Sequence, residues 1–197
     1  MKKTIKQKTV ITLASLGLAC SSVVVFANTA KATKSTGSTT QSSLTVDQAK
    51  EKALNESKSG QVIGYEQEAK FGKTVFEITI LDGQNEKEYK IDGQTGDVLK
   101  SKTKDLTKDK DDKQLINASY KIDLAGAESQ VKSKYPKSTI EKLQLDVENN
   151  TLVYDVSLTE GKKEIDLELD ANTGQIVEED IETEKRLILV IKNLNLD

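Results

Sequence analysis

An eight-residue turn segment occurs twice in this chain at a fixed distance. Residues 92–99 (DGQTGDVL) recur as residues 170–177 (DANTGQIV), and the sequence offset is 78 both at the Asp, from 92 to 170, and at the Gly of the Thr-Gly pair, from 96 to 174. A turn that repeats at constant spacing indicates that one structural unit is used twice. This duplication constrains the fold more than any other feature of the sequence.

The first unit opens with a predicted helix. Thr45 followed by Gln48 forms a capping-box pattern, and helix-favouring residues run from 46 to about 57. Three strand-like runs follow, in which apolar and polar residues alternate, and residues 98–99 start a last short strand. The alternating positions are Tyr65, Gln67 and Ala69 in the first run, Phe76, Ile78 and Ile80 in the second, and Tyr89 and Ile91 in the third.

A second unit aligns with the first at the same offset without a gap. Over residues 44–99, apolar positions fall on apolar positions and turns fall on turns. Asp123 supplies an N-cap for the second predicted helix, and Pro136 lies just past that helix. The sequence therefore predicts an α+β fold of two tandem repeats, each with one N-terminal helix packed on a three- to four-stranded antiparallel sheet.

The repeated turn carries the one arrangement that could suggest a metal site. Asp92, Gln94 and Asp97 offer oxygen atoms, but a calcium loop needs more ligands at alternate positions and usually a distal bidentate Glu. The second copy also lacks the last carboxylate, because Gln175 stands at the position of Asp97. We therefore expect the Asp side chain to cap its own turn and the Gly to take a positive φ, with no metal or cofactor.

Residues 1–32 are typical of an export signal. Four lysines precede an uncharged apolar run over residues 10–27, and small residues then place the predicted cleavage at Ala32, with Ala27 as the second choice. Two alternatives stay open: lipidation at Cys20, or retention of the apolar run as a membrane anchor. All three place the rest of the chain outside the cytoplasmic membrane, secreted or envelope-associated, and limit membrane contact to this segment.

Composition excludes several classes of function. Cleavage after Ala32 removes five of the 29 basic residues and none of the 32 acidic ones, which leaves a net charge of −8. Such a chain lacks the clustered Lys and Arg that nucleic-acid binding requires. It also has no His to serve as base for a nucleophile, and its carboxylates are spread along solvated faces. We therefore assign no catalytic residue and do not expect an enzyme.

Besides the signal segment, three segments lie outside the two units. The spacer, residues 33–43, consists of small polar residues. The connection between the units begins with a mixed-charge run, residues 101–113, that fits either a solvated linker or a continuation of the last strand. The repeat pattern ends after Glu178, and the apolar run 187–191 fits an extra element on the second unit or an exposed edge that recruits a partner. The predicted domains are 1–32 signal peptide, 33–43 spacer, 44–100 first unit, 101–121 linker, 122–181 second unit and 182–197 tail.

Both units resemble the PepSY family of small exported domains, found in propeptides of secreted metallopeptidases and in spore-cortex regulatory proteins. The similar segments are LTVDQA (44–49), VFEITI (75–80) and YKID (89–92) followed by TGDV in the first unit, and LVYDV (152–156) and LELD (167–170) followed by TGQI in the second. The resemblance implies a non-catalytic domain that inhibits or restrains peptidases of the cell envelope. Since no peptidase domain follows in this sequence, the target would act in trans.

The expected function is therefore binding, inhibition or regulation of an extracytoplasmic peptidase, or of an extended peptide laid along a sheet edge or an open sheet face. Tyr65, Phe71 and Phe76 are the aromatic candidates for such a contact, although Phe76 also fits a core position. The alternative is a structural or adhesive surface component that binds wall polymer or cations through its acidic surface.

Overall fold

Both units contain the same order of helix and strands in the computed structural model, which describes residues 43–70 and 72–183. The first unit consists of α1 (Val46–Ser57), β1 (Gln61–Lys70), β2 (Lys73–Asp82), β3 (Asn85–Asp92) and β4 (Val98–Asp105). The connection contains a 3-10 turn (Leu106–Lys108) and the short α2 (Lys113–Ile116). The second unit consists of α3 (Leu124–Lys134), β5 (Thr139–Glu148), β6 (Thr151–Glu160), β7 (Lys163–Asp170) and β8 (Ile176–Thr183).

The strands of both units join in one antiparallel sheet of eight described strands, in the order β4-β3-β2-β1-β5-β6-β7-β8. Each unit is a four-stranded meander in which consecutive strands pair, and β1 pairs with β5 between the units. The predicted α+β fold with two tandem helix-and-sheet repeats is confirmed. The shared sheet gives each small unit additional surface to bury, which a unit of about 60 residues needs because it is marginal alone.

The β1–β5 junction relates the two units by an approximate twofold axis. Tyr65 lies opposite Leu143, which is its own equivalent in the second repeat. Gly64 lies opposite Gln144, and the equivalents of these two residues form the next pair beyond the axis. The junction is thus arranged like the isologous interface of a homodimer, but within one chain.

Two helices cover one side of this sheet, which we call the helix face. The helix α1 contacts β1, β2 and β3, and α3 contacts β5 and β1. The buried positions of the helices are small or short, Ala49 and Ala53 in α1 and Ala127 and Val131 in α3, so both helices approach the sheet closely. The strands supply the bulk of the core, which includes Ile63, Ile78, Ile80, Ile91, Leu143, Leu145, Tyr154, Leu158, Ile165 and Leu169.

The caps predicted from the sequence fix the start of both long helices. The Thr45 hydroxyl accepts a hydrogen bond from the Gln48 backbone N–H at 3.3 Å, and the Gln48 side chain accepts one from the Thr45 N–H at 2.9 Å. Asp123 accepts from the Gly126 N–H at 2.8 Å. The prediction of a helix from 46 to about 57 is confirmed, because the capping box satisfies two otherwise unpaired donors there.

The charged connection is partly strand and partly buried. Residues 101–105 extend β4, so the continuation alternative describes them. Leu106 is fully buried and Leu115 is 3% exposed, and both belong to the same core as the strands. The Leu106 N–H also donates to the Gln84 carbonyl at 3.0 Å. A solvated linker does not describe this segment, because two leucines anchor it to the sheet.

The repeat continues further along the chain than its apolar pattern indicates. The strand β8 ends at Thr183, which is the equivalent in the second repeat of Asp105 at the end of β4. The apolar pattern breaks after Glu178, and the predicted second unit, residues 122–181, stops two residues before the end of β8, because a solvated edge strand needs no apolar alternation. Ala27, Ala32, Cys20, Phe71 and the apolar run 187–191 lie outside the described residues. Within residues 43–70 and 72–183, no helix has the length and apolar character that crossing a bilayer requires.

Candidate interaction surface

The repeated turns are built as the sequence predicts. The Asp92 carboxylate accepts hydrogen bonds from the backbone N–H groups of Gln94 and Thr95 at 2.8 and 2.9 Å, and Gly96 has φ 74°. The second copy repeats this geometry around Asp170, and Gly174 has φ 72°. The backbone donors hold the pKa of both Asp carboxyls below the usual value. Across the described residues, no group of three or more His, Cys, Asp or Glu is arranged to hold a metal ion.

Each turn also fixes the chain where it enters a helix. The Gly93 carbonyl accepts from the Leu44 N–H at 2.6 Å, and the Gly93 N–H donates to the Thr74 carbonyl at 2.8 Å. In the second unit, Ala171 makes the same two bonds with Ile122 and with the strand β6. The turn therefore joins sheet and helix entry. This role explains why the Asp and Thr-Gly recur while the residue types between them change.

Two of the three candidate aromatic residues belong to the core. Tyr65 is 3% exposed and Phe76 is 2% exposed, so neither is available to a partner, and Phe71 lies outside the described residues. The Lys50 ammonium lies 4.4 Å from the centre of the Tyr65 ring and 3.7 Å from the Glu128 carboxylate. Burial, followed by the charges of Glu128 and Asp47, raises the pKa of the Tyr65 hydroxyl. Tyr65 thus serves to pack the two helices over the junction.

The Lys50–Glu128 pair lies on the approximate twofold axis, because the two residues occupy equivalent positions of the two repeats. In a homodimer the same residue would face itself there. Duplication within one chain allows the two equivalent positions to hold different residues, here of opposite charge. The equivalent positions below them also hold different residues, Tyr65 and Leu143. The two units are therefore differentiated where they meet, which favours their pairing within the chain over pairing of identical units.

The opposite side of the sheet, which we call the open face, is dominated by charged side chains. In the first unit these charges are paired across strands: Glu77 with Lys90 at 2.5 Å and Glu88 with Lys102 at 2.7 Å. Lys104, also on β4, pairs with Asp112 of the connection at 2.9 Å. The first half of the open face is thus close to charge-balanced.

Acidic residues dominate the second half of the open face. On β7 and β8, Glu164 lies opposite Glu182, Asp166 opposite Asp180, and Glu168 opposite Glu178. Asp155 of β6, which is 6% exposed and pairs with Lys142 at 3.3 Å, lies opposite Glu168. Like charges directly opposite each other in a sheet are destabilising. Acidic side chains therefore outnumber basic ones on the second half of the open face.

The contrast between the halves arises on the edge strands. Lys100, Lys102 and Lys104 of β4 form a basic row, and the equivalent residues on β8 are Glu178, Asp180 and Glu182, which form an acidic row. The apolar pattern that aligns the two repeats over residues 44–99 stops short of this reversal. Extending the alignment of the two repeats to the end of β8 reveals it.

The fold defines a tandem α+β repeat protein that presents one broad, charged sheet face. A family model described as "Peptidase propeptide and YPEB domain" matches residues 43–102 and again residues 121–180, together more than half of the chain. The chain belongs to the PepSY family, and the family resemblance seen in the sequence is confirmed in two copies. No curated protein matches it in a direct sequence comparison.

Two solved structures are similar to this chain at low identity. One is a putative lipoprotein from Clostridium difficile 630, with 20% identity and a TM-score of 0.42 over 66% of this chain and 88% of that protein. The other is the C-terminal domain of YpeB from Bacillus megaterium, with 15% identity and a TM-score of 0.32 over 70% of this chain and 65% of that one. Both are too distant for any transfer of function.

Proposed function

We propose that this protein is an exported, non-enzymatic PepSY-domain protein that binds and restrains a peptidase, or an extended peptide, at the cell envelope. Membership of the PepSY family supports the class of target, and the pattern of residues 1–32 supports export. The observation that carries the proposal is the open face, because two units in one sheet present a continuous charged surface opposite α1 and α3.

The charges of this face favour a partner with a basic surface. Asp166 and Glu168 lie near the middle of the acidic half, where neighbouring carboxylates on β6 and β8 reinforce the negative potential. Complementary potentials steer encounter and suppress wrong partners more than they raise affinity. We therefore expect the affinity for the target to fall with ionic strength, and mostly through the association rate.

Capture followed by a peptidase assay tests this proposal. The chain from Thr33 to Asp197 is immobilised, envelope extract is passed over it, and retained peptidases are assayed with and without soluble chain. We expect at least one retained peptidase whose cleavage rate falls when the chain is added. If no envelope peptidase is retained, or none is slowed, the proposal is refuted.

A pair of matched variants locates the contact. Asp166→Asn/Glu168→Gln removes two negative charges from the open face, and Glu51→Gln/Glu56→Gln removes two from exposed positions of α1 on the other side of the sheet. We expect the first variant to slow association with the peptidase and the second to leave it unchanged. Equal effects of the two variants would contradict a role for the open face.

The acidic half also favours the second candidate, a surface component that binds wall polymer or cations. This candidate predicts that purified wall polymer or calcium ions bind the chain directly, without any peptidase. Binding of wall polymer that is lost in Asp166→Asn/Glu168→Gln, together with a failed peptidase assay, would favour it over the first.

A further inference from the structure

The two edge strands of the described sheet carry rows of opposite charge on the same face. At one edge, the basic row of β4 consists of Lys100, Lys102 and Lys104, all exposed. At the other edge, the acidic row of β8 is exposed in the same way. Edge strands commonly carry charge to prevent pairing with other chains. Opposite charges at the two edges disfavour pairing of β4 with β4 and of β8 with β8, but they do not disfavour pairing of β4 with β8.

We propose that β4 of one copy of this chain pairs antiparallel with β8 of a second copy, so that copies join edge to edge into a longer sheet. The register follows from the repeat. With Lys102 opposite Asp180, Lys100 falls opposite Glu182 and Lys104 opposite Glu178, so every pair on the open face joins opposite charges. The same antiparallel register, centred on a residue and its equivalent in the other repeat, already exists at the β1–β5 junction.

This register also keeps each face of the assembled sheet uniform. Residues directly opposite each other in an antiparallel pair project to the same face, so the open faces of the two copies become continuous and their helices lie together on the other side. The helix-face positions then place Ser101 opposite Ile181 and Thr103 opposite Glu179, which introduces no like-charge pair. No helix or turn of the described residues needs to change its fold for this pairing.

Charge selects this pairing over the two symmetric ones. Pairing of β4 with β4 would set lysines against lysines, and pairing of β8 with β8 would set carboxylates against carboxylates; both are unfavourable. Within one copy, the acidic row already lies opposite the carboxylates of β7. Lysines of a second copy on its other side would add neighbours of opposite charge. The interface is heterologous, so it extends to open chains of copies unless a rotation closes a ring.

Sedimentation velocity of the chain from Thr33 to Asp197, which contains all the described residues, tests the proposal directly. At an ionic strength of about 10 mM, where the Debye length is about 30 Å, we expect the sedimentation coefficient to rise with concentration. At about 1 M, where the Debye length is about 3 Å, we expect the association to weaken. A chain that stays monomeric at the highest soluble concentration in low salt would overturn the proposal.

Two charge-reversal variants give the decisive comparison. Lys100→Glu/Lys102→Glu/Lys104→Glu makes both edges acidic, and reversal of the acidic row to three lysines makes both edges basic. Each variant alone should associate at least about tenfold more weakly than the original chain, because three attractive pairs become repulsive. A mixture of the two restores complementary edges and should associate again. Since recovery on mixing requires folded partners, it separates lost pairing from lost folding.

A control variant matches the change in net charge away from the edges. Lys52→Glu/Lys121→Glu/Lys137→Glu reverses three exposed lysines outside all strands and should leave self-association unchanged. If it weakens association as much as reversal of the basic row, or if the mixture fails to associate, the proposal is refuted. The mixture would fail to associate if residues 184–197, or a basic partner, occupied the β8 edge instead of a second copy. The outcome is independent of peptidase binding, which is measured with β7 variants.

Discussion

The junction between the two units makes the sharpest prediction, at Gly64. A Cβ added there would lie 1.9 Å from the Gln144 side-chain oxygen and 2.9 Å from the Gln144 Cα on the neighbouring strand β5. The side chain can rotate away, but the backbone of Gln144 can retreat only if β1 and β5 separate by about half an ångström, since ordinary contacts begin near 3.4 Å. Overpacking of this kind typically costs about 1–3 kcal/mol.

We therefore expect Gly64→Ala to lower the free energy of unfolding by about 1–3 kcal/mol, measured by urea denaturation of the chain from Thr33 to Asp197. The melting temperature should fall by about 2–4 °C for each kcal/mol. Gln144→Ala in the same chain should recover part of the loss, because it removes the side-chain clash but leaves the close approach to the β5 backbone. A change within about 0.5 kcal/mol, as at an ordinary surface site, would refute the β1–β5 pairing.

Three further predictions concern the caps, the turns and the connection. Thr45→Ala should lower stability by about 0.5–2 kcal/mol in urea denaturation, because it opens the capping box, whereas Thr45→Ser should change it little. Asp92→Asn/Asp170→Asn should flatten the loss of melting temperature in acid: carboxyls with a lowered pKa stabilise the fold above their unfolded pKa of about 3.9, and that stability is lost as pH falls through the lower folded pKa. Equal acid profiles for variant and original chain would contradict this reasoning. Leu106→Ala should cost about 2–5 kcal/mol because the side chain is fully buried, whereas exposed Lys108→Ala should cost less than about 0.5 kcal/mol; similar costs would mean that the connection is not anchored.

Local features of the fold were predictable because each depends on nearby residues. The capping box of Thr45 and Gln48 defines the start of α1. The recurring Asp and Thr-Gly define the turns, and the alternation of Phe76, Ile78 and Ile80 identifies buried strand positions. These signals act within a few residues. The second copy repeats the turns and the alternation, and an Asp123 N-cap takes the place of the capping box.

The pairing of the units and the interaction surface required the structure. The alternation of Tyr65 and Gln67 identifies β1 as a strand. It does not identify the neighbouring strand, because the backbone N–H and C=O groups of β1 can pair with the edge of any other strand. Leu106 is buried although it is the one apolar residue in its charged run, because the chain folds back at the end of β4. The reversal from Lys102 to Asp180 is visible in the sequence, but its significance depends on both positions lying on edge strands.

The central claim is that two PepSY units share one sheet through β1 and β5. Nuclear Overhauser contacts between the backbone protons of these strands test it most directly, on a sample diluted below the concentration at which copies associate. The account predicts contacts between Tyr65 and Leu143 and between Gly64 and Gln144, with slow amide exchange along both strands. Absence of these contacts, with the amides of β1 and β5 exchanging as fast as those of the edge strands, would contradict it.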